Sequence, residues 1–189
     1  MLFRRRVPLT ILQKIKEVLW PRKGFYRLFS YVWQRILRMP GSTYSLAAGV
    51  ATGVSISLTP FIGFHLLLIV AACYLLRANM LVGFISSFIG NPWTFPFLWI
   101  AEMNTGKFVL GVLGFEALAS LRGFADIVQQ PTNVMIVWIF GGAILMAICW
   151  PVVFGVSFYG IKRWRRYRLT KRSLKAAAQP HRAEPNIQG

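Results

Sequence analysis

Residues Met80–Ala101 read MLVGFISSFIGNPWTFPFLWIA, a stretch with no charged residue and with Asn91-Pro92 near its middle. As a helix at ~1.5 Å per residue it reaches roughly 33 Å, enough to cross a hydrocarbon core of about 30 Å. Pro92 and Pro96 must kink or unwind it. Lipid supplies no water to the backbone groups that such a break frees. A broken helix at membrane depth therefore survives only where protein or a wet cavity covers it. The preceding run, Met39–Leu76, is also free of Asp, Glu, Lys and Arg, and it is cut by Thr59-Pro60 and Gly63. Two breaks, with His65 beside the first, point to a polar site inside the bilayer.

Length arguments extend outward from there. Residues 45–76 would span roughly 48 Å as one helix, too long for one ordinary crossing, while the halves Ser45–Leu58 and Phe61–Leu76 reach only about 21 and 24 Å. A hairpin that enters and returns on one side fits these lengths. Its first half carries Ser45, Gly49, Gly53 and Ser57 at every fourth position, a face stripped of bulk that another helix can approach closely. Arg77 marks a membrane boundary, because an arginine at the bilayer centre costs at least ~2.5 kcal/mol. Asn79 is placed to cap the helix that follows. Val134–Ile161 is uncharged and forms the clearest crossing, with Pro151 as a possible kink.

Charge sets the orientation. The chain has 189 residues, 56% of them hydrophobic, a mean hydropathy of +0.52 and a net charge of +17. Of its 22 basic residues, ten lie in 1–38 and nine in 162–189, whereas three of the five acids, Glu102, Glu116 and Asp126, lie in 102–133. Basic protein can mean nucleic acid. Here the charge brackets apolar segments instead, the pattern of the positive-inside rule, and no nucleic-acid role is expected. Both basic ends then belong in the cytoplasm. Residues 25–38 place Phe25, Leu28, Phe29, Val32, Trp33, Ile36 and Leu37 on one face, with Arg27, Arg35 and Arg38 opposite. With the weaker pattern from residue 10, this reads as an amphipathic helix lying beside anionic lipid headgroups, or alternatively packed on the protein's own surface. The N-terminus does not read as a signal peptide, since Gln13, Lys14, Lys16 and Glu17 interrupt any apolar core.

The candidate site comprises Pro60, Gly63, His65, Asn79, Asn91 and Pro92. His65 is either an intramembrane functional group or a neutral imidazole bonded between helices. Asn91 can present its amide to a ligand or cap the backbone freed by Pro92. Glu102 and Lys107 are expected to form a solvated pair at a boundary. Trp93 and Trp99 suit the interface. Cys73 and Cys149 read as packing residues. No nucleophile–base pair, carboxylate pair, phosphate loop or metal-ligand spacing appears, so neither a catalytic residue, a metal nor a cofactor is expected.

Taken in order, the Ala- and Gly-rich Leu46–Gly53, Pro60-x-x-Gly63-x-His65, Arg77-x-Asn79 and Asn91-Pro92-x-Thr94 ahead of Gly106 resemble a bacterial membrane family known as domain of unknown function 2062. The resemblance implies a bacterial inner-membrane protein with no assigned activity, and it supplies no catalytic residues. Some members look fused to glycosyltransferase modules, a hint of envelope assembly, but this chain has no such module.

The expected architecture is all-α. Residues 1–40 form basic amphipathic surface helices and 41–161 the membrane domain. Within it lie a broken re-entrant hairpin at 45–76, a kinked span at 80–101, an external segment at 102–133 and a return span at 134–161. Residues 108–127 are expected to hold a surface-lying helix. A basic cytoplasmic tail at 162–189 is largely disordered. Two functions are carried forward: a small transporter-like protein handling a lipid or envelope metabolite, as a homo-oligomer, or a non-catalytic membrane scaffold or accessory subunit. An enzyme ranks third.

Overall fold

The computed structural model describes residues 25–61 and 63–177; the expected helix at 10–24 and the end of the tail at 178–189 lie outside the described residues. Among the described residues the fold is all-helical. Its helices are α1 (Phe25–Arg38), α2 (Thr43–Ile56), α3 (His65–Leu75), α4 (Met80–Ser87), α5 (Phe95–Val112), α6 (Glu116–Ala119) and α7 (Pro131–Ala177), with a 3-10 turn at Gly123–Asp126 before α7. The chain divides into two units, Met1–Met39 and Pro40–Gly189.

In the first unit, α1 buries Ile36 and Leu37, half-buries Val32 and Trp33, and exposes Arg27, Arg35 and Arg38.

The second unit is built on α7. Leu58 meets α7 at Gly142, Thr52 accepts a hydrogen bond from Trp150 Nε1 (3.2 Å), and Arg165 donates to Gly41 O (2.7 Å). Numbers on α2 fall as those on α7 rise, so the two helices run antiparallel. After α2 the chain turns at 58–64 and comes back along α3. Asn79 N then donates to Ser45 O (2.9 Å), and Tyr44 OH to Leu76 O (3.1 Å), so the hairpin closes where it began. Asn79 Oδ1 accepts from Val82 N (3.0 Å) and starts α4.

Along the small-residue face of α2, α4 approaches by its backbone. A Cβ on Gly49 would stand 2.7 Å from Asn79 O, one on Gly53 would overlap Gly83 O, and Ser57 Oγ lies 2.9 Å from Ser87 O. That progression makes α4 parallel to α2. The partner of the ladder is thus a helix of the same chain. A Cβ on Gly83, in turn, would stand 2.9 Å from Cys73 Sγ; Cys73 is fully buried beside Ile56 and Ile69.

α5 continues in the direction of α4 and lies antiparallel to the first part of α7. Gly106 meets Val137 O, and Gly141 meets Glu102 O, both too closely to admit a Cβ. Around this contact Met103, Leu110, Leu121, Val134, Val137 and Trp138 form a buried apolar cluster.

Three expected boundaries move. The span at 80–101 is two helices, and the second runs on to Val112, because no proline lies between Phe97 and Val112, Gly106 and Gly111 stay helical, and the chain turns only at Gly114 (φ +87°). The segment 102–133 consequently opens with eleven more helical residues, 102–112. The surface helix expected within 108–127 is replaced by the end of α5, a four-residue α6 and the 3-10 turn. Beyond Ile161, α7 continues to Ala177, since Lys, Arg and Leu all favour helix and no Gly or Pro intervenes; Pro151 lies within the same helix.

Candidate functional site

The first break is made by Pro60, which has no N–H to continue α2 and disfavours helical backbone at Thr59. The last turn tightens instead: Leu58 N donates to Ser55 O and Thr59 N to Ile56 O, at 3.0 and 3.1 Å. Thr59 Oγ1 also donates to Ile56 O, at 2.7 Å. The chain reverses through Gly63 (φ +91°), a backbone that side chains other than glycine's adopt only with strain. His65 opens α3, and its Nε2 lies 3.2 Å from Thr59 O. A carbonyl only accepts, so Nε2 carries the hydrogen. The half-buried imidazole thus closes the turn by satisfying a carbonyl that the break has freed.

At the second break, Asn91 and Thr94 cap one another. Asn91 Oδ1 accepts from Trp93 N (2.9 Å) and Thr94 N (3.1 Å), while Thr94 Oγ1 accepts from Asn91 N (2.9 Å) and donates to Ile89 O (2.6 Å). This reciprocal arrangement is a capping box with threonine at its third position. Pro92 is exposed, and Pro96 falls at the start of α5, where its missing N–H costs nothing.

The two breaks meet. A Cβ on Gly90 would stand 3.0 Å from Ser57 Cβ. Ser57 Oγ shares its proton between Gly53 O (3.0 Å) and Ser87 O (2.9 Å), joining the end of α2 to the end of α4. Pro60, Gly63 and His65 thus lie on one side of the Ser57–Gly90 contact, and Asn91 and Pro92 follow it on the other. Asn79 does not join them. It sits at the far end of α4, an eight-residue helix about 12 Å long that separates it from the second break.

A group that the sequence reading left at a boundary is part of this level. Glu102 is fully buried and is not a solvated partner of Lys107. Its Oε2 accepts a short hydrogen bond from Trp138 Nε1 (2.5 Å), and its Oε1 has no hydrogen-bond partner among the described residues. Trp99 packs edge-on to Trp138, with ring centroids 5.4 Å apart. On α7, Gly141 receives the backbone of Glu102, and its neighbour Gly142 receives Leu58 O, Thr59 and Pro60. The helical period would have revealed Glu102: Trp99, Glu102, Gly106 and Leu110 recur at three or four residues along one face of an unbroken α5. Ser55 Oγ and Ser86 Oγ are also buried without a partner among the described residues.

No group of three or more His, Cys, Asp or Glu side chains able to hold a metal occurs among the described residues. The arrangement offers one imidazole N–H, several hydroxyls and one carboxyl at a common level of α7. A profile of the family described as "Uncharacterized protein conserved in bacteria (DUF2062)" matches residues 26–170. No curated protein and no solved structure matches the chain.

Proposed function

From the premise that the chain belongs to this bacterial DUF2062 family, we propose that it is an inner-membrane protein with both ends cytoplasmic, in which α2–α3 is a re-entrant hairpin, α4–α5 a broken crossing and α7 the return crossing. α7 is long and apolar enough to cross a membrane, and only 22% of its most apolar stretch is buried, whereas the core helix of a soluble protein would be mostly covered. Leu66, Leu67, Val70, Tyr74 and Leu75 on α3 and Phe97, Ile100 and Phe108 on α5 are likewise exposed, as lipid-facing residues should be.

Within that frame the protein is transporter-like, handling a lipid or small envelope metabolite at the level where both breaks converge. The observation that carries this reading is the convergence itself: Gly141 and Gly142 bring Glu102 on one side and the Thr59–Pro60 break on the other to adjacent residues of a single helix. Phe61, Gly63 and Phe64 beside His65 are exposed, so the polar level borders an apolar surface, an arrangement suited to an amphiphile. A second reading, a non-catalytic scaffold or accessory subunit, draws support from the capping: Asn91, Thr94 and His65 all hold backbone groups of the breaks.

Knockout rescue separates the two. Under the transporter reading, His65→Ala and Asn91→Ala each abolish rescue across envelope stresses while abundance and membrane topology stay normal. Full rescue by both variants, or failure only through loss of folded protein, overturns it in favour of the scaffold.

A further inference from the structure

Among the buried described residues Glu102 is the only one of a charged type, and one of its oxygens faces no donor. Ionised carboxylates buried away from water need a counter-charge or several hydrogen bonds. Among the described residues Glu102 has a single donor, the Trp138 indole N–H, on the other oxygen. The elements around it bring no compensating charge. From Pro131 to Ile161 α7 has no Asp, Glu, Lys, Arg or His, only Cys149 and Tyr159 as titratable side chains. α5 itself adds Lys107, whose side chain is half-buried; α6 adds Glu116, which is exposed and of like sign; and the turn before α7 adds Arg122, which is exposed, and Asp126, half-buried, whose carboxylate accepts from Arg122 N. His65 belongs to the first break, where its Nε2–H is held by Thr59 O.

A metal ion is a poor occupant. Calcium and magnesium require six or more oxygens around them, and the polar partner given to this carboxyl is an indole, itself a donor. A proton needs one oxygen. We propose that Glu102 is a proton-binding site, with the exchangeable proton on Oε1 and the Trp138 N–H fixing Oε2.

The site lies where α5 and α7 are nearest, at Gly106 and Gly141, so opening that contact to admit water would release the proton as H⁺ and leave a carboxylate. Closing it would require the proton back. The binding site stands on the geometry of Glu102 alone. Its further consequence, that proton movement is coupled to handling of the amphiphile, rests on the transporter reading.

Infrared difference spectroscopy tests the site on the full chain in phosphatidylethanolamine–phosphatidylglycerol vesicles. Wild type minus Glu102→Gln should show the C=O stretch of a protonated carboxyl that moves down in D₂O. Raising the pH should replace it reversibly by carboxylate bands, and exchanging sodium for choline should leave it unchanged. Trp138→Phe should keep the band but shift its frequency, which assigns it to Glu102 even if the Gln variant folds poorly. Carboxylate bands at every pH at which helix content is intact, a sodium-dependent band, or a protonated band that neither exchanges nor titrates would each overturn the proposal. A titrating band in a protein whose His65 and Asn91 variants rescue fully keeps the proton site and removes transport. The converse result removes the proton and keeps transport.

Discussion

Replacing Asn91 with alanine removes the acceptor for two backbone N–H groups, those of Trp93 and Thr94. If capping is all that Asn91 does, its loss costs about 0.5–2 kcal/mol and lowers the melting temperature in detergent, with any failure of rescue following from that instability alone. Asn91→Asp, which keeps the accepting oxygen, should recover most of that loss. Equal melting of wild type and Asn91→Ala would show that the box contributes nothing. The role of Asn79 as a cap was legible in the sequence, because asparagine just ahead of an apolar helix has a short-range job; for Asn91 the sequence offered capping beside ligand binding, and the hydrogen bonds to Trp93 N and Thr94 N show the capping. Glu102 was not. Ending the helix at Ala101 placed it outside, and only the continuation of α5 to Val112 turns it inward onto Trp138.

At the scale of elements, the convergence of the breaks is open to direct test. With Cys73 and Cys149 replaced, cysteines at Ser57 and Gly90 should oxidise to an intrachain disulfide, since their Cβ atoms would stand 3.0 Å apart, about half an ångström short of the usual 3.5–4.5 Å range, a difference that a small separation of the two turns makes up. Free thiols under oxidising conditions, in a protein that remains helical, would separate the breaks. Gly53→Leu should cost at least about 1–3 kcal/mol, because its side chain must displace the backbone of α4 rather than a movable side chain. Gly63→Leu meets open space and fails, if it does, only through its positive φ. The small-residue ladder, both breaks and the uncharged α7 were legible because proline, glycine and missing charge act locally. What the ladder packs against was not, since a face free of bulk accepts any neighbour. The ends of α5 and α7 were misplaced for another reason: charged residues were read as stops, although Lys, Arg and Glu continue a helix readily and only its environment changes.

At the scale of the whole molecule, the described helices leave much apolar surface uncovered, including most of α3. We expect a homodimer or larger assembly in mild detergent, measured by light scattering; a stable monomer would assign that surface to lipid alone. The central claim is the path of the chain through the membrane, and cysteine accessibility in intact cells tests it most directly. With Cys73 and Cys149 replaced, single cysteines at Glu116 and Gln129 should label from outside. Cysteines at Ala78, where the hairpin has returned to Ser45, and at Lys171, beyond the apolar part of α7, should be reached only after the membrane is opened. Labelling of position 78 or 171 from outside would contradict the hairpin or the return crossing, respectively.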